Sequence, residues 1–374
     1  MKNIKTLQTL PGKQGGLSLI ELMIASVIGL FILAGAVTIF SGNSASSSMS
    51  TGMSRLQDSG RVALDIVANS IRMAGYEGCR SASKAPADVM ASSANPTINL
   101  PDSAVWGSEI NAAQAWDPAI NADLGNIAGA PKPQTSVIYL QHASGRSTNL
   151  SVDMTNQGAP NVIMTNNPDN LNTGEMVMIA DCSTAHIFRA TNIGDGQVNV
   201  PVTFGAQQNN RGNLGVIYTG TGLLEDTPLR IMRFESNAYF VGDSGRDTPG
   251  GLDIFSLFSY DTTGSPIADN AVELIEGVEQ MHVLYGERVE ATGNIRYVTA
   301  DQVTNMNNVA SVQIGILIAT ANYAASDDDN RTYNIAGVTV GPPGANTDLN
   351  HEGDRRLRAA FNTTVQLRNR AAEI

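Results

Sequence analysis

The run from Gly15 to Phe31, GGLSLIELMIASVIGLF, constrains this chain more than any other stretch, because it is apolar apart from one carboxylate, Glu21, five residues after Gly16. From Leu17 to Phe40 there is no other charge, and only Ser18, Ser26 and Thr38 add hydroxyls. As a helix these residues reach about 36 Å, enough to cross the hydrocarbon core of a bilayer. An ionisable group inside such a span costs roughly 2.5–3.5 kcal/mol on insertion scales, so Glu21 calls for a partner.

Residues 1–16 carry Lys2, Lys5 and Lys13 and no acid. The positive-inside bias therefore keeps the N-terminus cytoplasmic and sends the rest of the chain across the membrane. A secretory signal is the competing reading, with Ser44, Ala45 and Ser46 as a weak cleavage site, but its apolar region spans only about 7–15 residues and this run is longer. Cleavage between Gly16 and Leu17 is the other option. It would create an amine at Leu17, four residues from Glu21, able to serve as the missing cation in the same or a neighbouring subunit.

The body that follows reads as exported. The formal charge is −12, and without the three leader lysines 20 basic side chains face 35 acidic ones, a charge of −15. Such a surface repels phosphate backbones, so no nucleic-acid partner is expected. Cys79 and Cys182 lie beyond the span, where an oxidising compartment makes a disulfide the default and two buried free thiols the alternative. Neither has a second Cys or His at zinc-site spacing, so no metal is expected there.

Beyond Phe40 the stretch SGNSASSSMSTG is polar and poor in helix formers, a place for the rod to loosen. Met53, Leu56, Gly60, Ala63, Val67, Ile71 and Ala74 then recur at steps of three and four, while Arg55, Asp58, Arg61, Asp65 and Arg72 lie off that stripe. This predicts an amphipathic helix with one face on a globular body, ended by Gly75. After residue 80, nine strand-like runs follow, at 135–143, 175–182, 186–191, 197–204, 229–242, 252–260, 280–288, 310–320 and 361–369, separated by Gly, Asn, Asp and Pro clusters. The expected fold is α+β: a long N-terminal helix packed on a mainly antiparallel head, with long loops at 80–133, 205–225 and 322–352. A head of this size is near the limit for one core and invites two lobes.

The segment KQGGLSLIELMIASVIGLFILAGA resembles the class III signal of type IV pilins and pseudopilins, in which a short basic leader ending in Gly precedes an apolar helix with Glu at mature position five. The resemblance implies cleavage after Gly16 by a prepilin peptidase, N-methylation of Leu17, and a role for Glu21 in docking each subunit into a filament. Mature position one, usually Phe in major pilins, is Leu17 here. Further segments, IRMAGYEGC, ADCSTAHIF, LIEGVEQMHVLYG and DRRLRAAFNTTVQLRNR, are similar in their order to the PilW family of minor pilins, relatives of the J pseudopilin of type II secretion.

Enzyme readings fail on spacing. GDSG at 242–245 imitates a serine-protease loop, but Arg246 stands where that pattern has Gly, and a strand-end turn accounts for it better. His142, His186, His282 and His351 are scattered without ligand spacing, and each reads as a surface or strand residue. The acidic loop 327–329 lacks the alternating ligands of a calcium loop and reads as solvated. The arginines of 355–370 form one basic patch, expected to meet a neighbouring acidic face.

These readings divide the chain into a leader (1–16), a membrane or filament-core helix (17–40), an amphipathic helix (41–75) and a periplasmic head (76–374). The resemblance implies a non-enzymatic minor pilin without cofactor or metal, which primes or caps type IV pilus assembly and supports attachment and twitching motility. Its implied partners are other minor pilins, the major pilin, a prepilin peptidase, a tip adhesin and the inner membrane. A J-like pseudopilin is the alternative, and a membrane-anchored periplasmic binding or enzymatic domain a further one.

Overall fold

A computed structural model describes residues 16, 18–79, 86–92, 104–110, 115–120, 122–125, 127, 129–155, 161–196, 198–206, 208–219, 229–263 and 271–369. Leu17 and residues 1–15 lie outside the described residues. The chain forms two units, Met1–Thr51 and Gly52–Ile374.

One helix, α1, runs from Leu19 to Met73. The serine-rich stretch 41–52, expected to loosen, is helical throughout. Starting a helix is the costly step and extension the cheap one, so weak formers between two strong helical segments are carried along. In the second unit the expected stripe is the buried one: Leu56, Gly60, Ala63, Leu64, Val67, Ala68, Ile71 and Ala74 are buried, and Arg55, Asp58, Arg61, Asp65 and Arg72 are exposed. Gly60 makes room for a neighbour, since a Cβ there would fall on the Phe361 ring. Gly75 takes φ +75°, and its N–H donates to the Gln141 carbonyl at 2.9 Å. The Asn369 side-chain amide lies 3.2–3.4 Å from the carbonyls of Arg72, Met73 and Ala74, so the end of the last strand caps the end of the helix.

All nine expected runs contain strands, arranged with shorter ones in a nine-stranded sheet, a four-stranded sheet and two three-stranded ones. The large sheet is organised by Arg230–Asp247, which pairs antiparallel with Val137–Ala143, with Met176–Ala180 through its first residues, and with Asp253–Asp261 through its later ones. The four-stranded sheet has the order Ile295–Val298, Val278–Arg288, Val309–Ala319, Arg358–Gln366, antiparallel throughout. The stripe of α1 packs in one cluster with Val105, Ile138, Leu140, Tyr239 and Val241 of the first sheet and with Met281, Val283, Tyr285, Val312, Ile314 and Ile316 of the second.

A second core gathers Leu150, Val162, Met164, Val177, Ile179, Phe188, Val200, Val202, Phe204 and Ile231. It belongs to an excursion inside a hairpin: Ala143 is paired with Phe234, and the Ser144 N–H donates to the Arg233 carbonyl at 2.8 Å. Residues 144–229 therefore leave and return at adjacent points, and two of their strands, Met176–Ala180 and Ala185–Arg189, extend the large sheet, so the chain from Gly52 onward is one compact unit with two cores rather than two lobes.

Two expected loops hold strands. Val105–Ile110 lies within 80–133, and Tyr333–Ile335 with Val338–Gly341 forms a hairpin within 322–352. VWGSEI is buried on both faces by small and polar groups, so it shows no alternation to read. The hairpin turns on Ala336 (φ +45°) and Gly337 (φ +84°), and its backbone lies against Gly315, where a Cβ would come within 2.5 Å of the Ala336 nitrogen.

The chain crosses from one main sheet to the other at Gly277, with φ +88°. Its N–H donates to Phe255 at 2.9 Å and its carbonyl accepts from Ala319 N–H at 2.8 Å, so one residue is tied to both sheets. An added Cβ would overlap the Ala319 carbonyl oxygen. Gly277→Ala should lower head stability by about 3 kcal/mol, combining left-handed strain of about 1–2 kcal/mol with overlap. Urea unfolding checks this, as a lower midpoint at unchanged slope.

Candidate functional site

The N-terminal unit offers a surface rather than a pocket. Its apolar side chains are exposed along the helix, including Leu19 at 78%, Phe31 at 76% and Phe40 at 76%, and an 18-residue window has a mean hydropathy of 2.5. A helix of this length and composition is able to cross a membrane.

Glu21 sits in the first turn of this helix. The Ser18 N–H donates to its carboxylate at 2.9 Å, and the Glu21 N–H donates to Ser18 Oγ at 3.2 Å. This is a capping box, S-x-x-E, and each side chain satisfies an amide that the helix end leaves open. A carboxylate here also opposes the positive end of the helix dipole. The acid that the sequence leaves without a partner therefore has a local one. Gly16 is exposed, and Leu17 lies outside the described residues, so the geometry does not address cleavage or methylation.

Cys79 and Cys182 form a disulfide, with Cα atoms 5.0 Å apart. It ties the segment leaving α1 to the turn after Met176–Ala180. Asp181 shapes that turn: one carboxylate oxygen accepts from the N–H groups of Ser183 and Thr184, both at 2.7 Å.

The arginines of the last strand differ from expectation. Arg356 and Arg358 are 1% and 2% exposed, and they meet acids of their own chain rather than a surface partner. Both bond Glu279: Arg356 Nη2 lies 2.7 Å from Oε1, and Arg358 Nε 2.7 Å from Oε2. Both also bond Asp354, each at 2.7 Å. Asp329 lies 3.6 Å from Arg358, accepts from Arg331 Nε at 2.9 Å and from the Tyr333 hydroxyl at 2.7 Å. Of the acidic loop, Asp327 and Asp328 are exposed as expected, but Asp329 is buried in this network. Burial opposes the Arg358 charge, yet Glu279 and Asp354 hold its proton on more firmly than usual. Burial likewise raises Asp354, and the two arginines outweigh it, leaving its carboxyl below the usual range. Arg358 opens the last strand and Arg356 lies two residues before it, so no strand alternation in the sequence marks the pair.

The remaining candidates are structural. GDSG is a bulge inside the strand Arg230–Asp247, not a strand-end turn, since the register with Asp253–Asp261 shifts between Asp243 and Arg246. His142, His186 and His282 lie on strands, and all four histidines are buried. His186 Nδ1 bonds the Tyr218 hydroxyl at 2.7 Å, and His351 Nε2 the Arg331 carbonyl at 2.9 Å. Among the described residues no His, Cys, Asp and Glu group is arranged to hold a metal.

Against this geometry, two family comparisons are informative. The family described as prokaryotic N-terminal methylation motif matches residues 11–37, and a second family matches 238–369. An apolar helix opening on this motif, followed by a helix-packed β head, makes the chain a type IV pilin-like protein. The second family is type IV pilus-assembly protein W, PilW, and its match takes in Gly277 and the whole Glu279–Asp329–Asp354–Arg356–Arg358 network. No curated protein and no solved structure matches the chain.

Glu279→Gln should destabilise the head by about 3–5 kcal/mol, because it leaves two buried guanidinium groups to share the remaining acids; chemical denaturation reads this directly. Cys79→Ser should remove up to about 4–5 kcal/mol, the chain-entropy value for a loop this long. In the wild type, thiol labelling of the unfolded, unreduced chain should find no reactive sulfur.

Proposed function

We propose that this chain is a minor pilin that primes or caps type IV pilus assembly, acting as a structural subunit and not as an enzyme. The observation that carries the reading is the presence of both family matches on one chain, the methylation motif at its start and PilW in its head. In this reading residues 1–16 are the leader, 17–40 the segment that leaves the inner membrane for the filament core, 41–75 the connecting helix and 76–374 the periplasmic head. A prepilin peptidase cuts after Gly16, Leu17 is methylated, and the subunit then joins other minor pilins, the major pilin and a tip adhesin. Pilus biogenesis, surface attachment and twitching motility follow from that assembly.

Glu21 has two tasks here. Its backbone hydrogen bonds with Ser18 start the helix, and its charge meets the amine that cleavage exposes at Leu17, on its own or an adjacent subunit. That pairing strengthens as like helices close around it and water leaves. An uncleaved leader supplies no such amine.

Glu21→Ala should leave insertion and leader cleavage intact, since an apolar residue makes the span more favourable. Its incorporation into pili should fall sharply. Gly16→Val should block processing and give the same assembly defect with the leader attached. Processing state on a gel and the amount of this protein in sheared pili score both variants. Normal recovery of Glu21→Ala in pili would sink the ion-pair role, and normal piliation of a strain lacking the protein would sink the assembly role.

A further inference from the structure

A strand at the edge of a sheet leaves one row of its N–H and C=O groups open, and natural proteins keep such rows short, charged, bulged or broken by Pro. Most edges of this head follow that rule. The large sheet ends in two-residue strands, Asp88–Val89 and Trp116–Asp117, and its side branch in Val272–Glu276, which carries two acids and a register shift. The two three-stranded sheets end in strands of two to four residues. One side of the four-stranded sheet is Ile295–Val298, four residues with Arg296 among them.

The other side breaks the rule. Arg358–Gln366 is nine residues long, with no charge after Arg358 and no Pro or Gly, and its register with Val309–Ala319 is unshifted from end to end. Its flanks show which groups are open. The Leu367 N–H donates to the Ala310 carbonyl at 2.9 Å, and the Leu357 carbonyl accepts from the Thr320 N–H at 3.0 Å. Odd-numbered residues therefore bond the neighbouring strand, and the N–H and C=O groups of Ala360, Asn362, Thr364 and Gln366 point the other way. Among the described residues no strand pairs with that side.

We propose that this row takes up an extended segment of a different subunit by strand addition, antiparallel to Arg358–Gln366. The two faces of the strand set the chemistry of the segment. Residues opposite Phe361 and Thr363 continue the half-buried side, where Phe361 fills the space left by Gly60, and residues opposite Thr364 and Gln366 continue the exposed side. The segment therefore alternates apolar with polar. Charge marks where it starts. Arg368, just past the strand, and Arg72, at the adjoining end of α1, are both exposed in a chain of formal charge −12. Antiparallel pairing puts the first residues of the segment there, so it opens on an acid and runs uncharged beyond it.

A second copy of this chain does not fit the row. Arg358–Gln366 runs the same way as the helix behind it, from Gly52 beside Leu357 to Ala74 beside Asn369. Two copies paired antiparallel through this edge would set their helices head to tail, which copies anchored in one membrane by the same apolar segment cannot adopt.

The test uses the full-length protein in detergent micelles and a short synthetic peptide, two Glu followed by alternating Val and Thr. Without the peptide, the amides of Asn362 and Thr364 should exchange with solvent far faster than those of Phe361 and Thr363. With it, they should become equally protected. Thr364→Pro removes one outward N–H and leaves the ladder intact, since an edge strand tolerates Pro where its N–H faces solvent. It should weaken the peptide by about tenfold or more at an unchanged melting temperature. Arg368→Glu should weaken it by about fivefold. Should Thr364→Pro fold poorly, the exchange pattern of the wild type decides alone. Slow exchange of Asn362 and Thr364 in the free protein, no protection of them at millimolar peptide, or equal affinity of wild type and Thr364→Pro would overturn the proposal. So would a dimer of the free protein closed through this edge.

Discussion

The head depends on burying one stripe of a helix between two sheets. Leu56, Ala63, Val67 and Ile71 meet Ile138 and Tyr239 from one side and Val283 and Ile314 from the other. Apolar burial of this kind is worth about 25 cal/mol per Å² and has no direction. Directional contacts fix the register: Ser70 Oγ bonds the Tyr239 hydroxyl at 2.7 Å, and Asn369 caps the last carbonyls of α1. The ends of the folded head, in chain order, are therefore joined to each other through one side chain.

Buried charge is used in two opposite ways. Around Glu279 each cation has an acid and each acid a cation, and the set joins the strands Val278–Arg288 and Arg358–Gln366 to the loops at 329 and 354. Removing Glu279 leaves two buried guanidinium groups to share the remaining acids, so the cluster specifies one arrangement strongly even where its net stabilisation is small. Glu109 is buried without an arginine, and a hydroxyl, Ser136 Oγ, is its hydrogen-bond donor.

What the sequence shows and what it hides follow from the period of the pattern. The helix stripe of residues 53–74 was legible because 3.6-residue periodicity persists over many turns and its exceptions are charged. The nine runs were legible because β-branched and aromatic residues cluster between turn formers. Val105–Ile110 was hidden by its Gly, Ser and Glu, whose burial reflects neighbours distant in sequence. The 41–52 stretch misled through local propensity, which cooperativity along a helix overrides. At the N-terminus Glu21 stood out by composition, but its first partner, Ser18, is a helix cap that the membrane question obscured. The arginine network escaped because pairing over 79 residues, from Glu279 to Arg358, leaves no local trace.

The insertion of residues 144–229 has an implication for how such a chain can change. Its two stems, Ala143 and Phe234, are partners in a ladder, so the gap it bridges has a fixed width of one strand spacing whatever is placed between them. Lengthening or replacing a segment closed across a preset gap carries an entropic penalty that grows only logarithmically with length. The region also lies outside the stretch shared with PilW, which begins at residue 238. Residues 144–229 therefore admit changes of length at small entropic cost where they loop out, within the limits set by the Met176–Ala180 ladder and the Cys79–Cys182 bridge that hold them to the rest of the head.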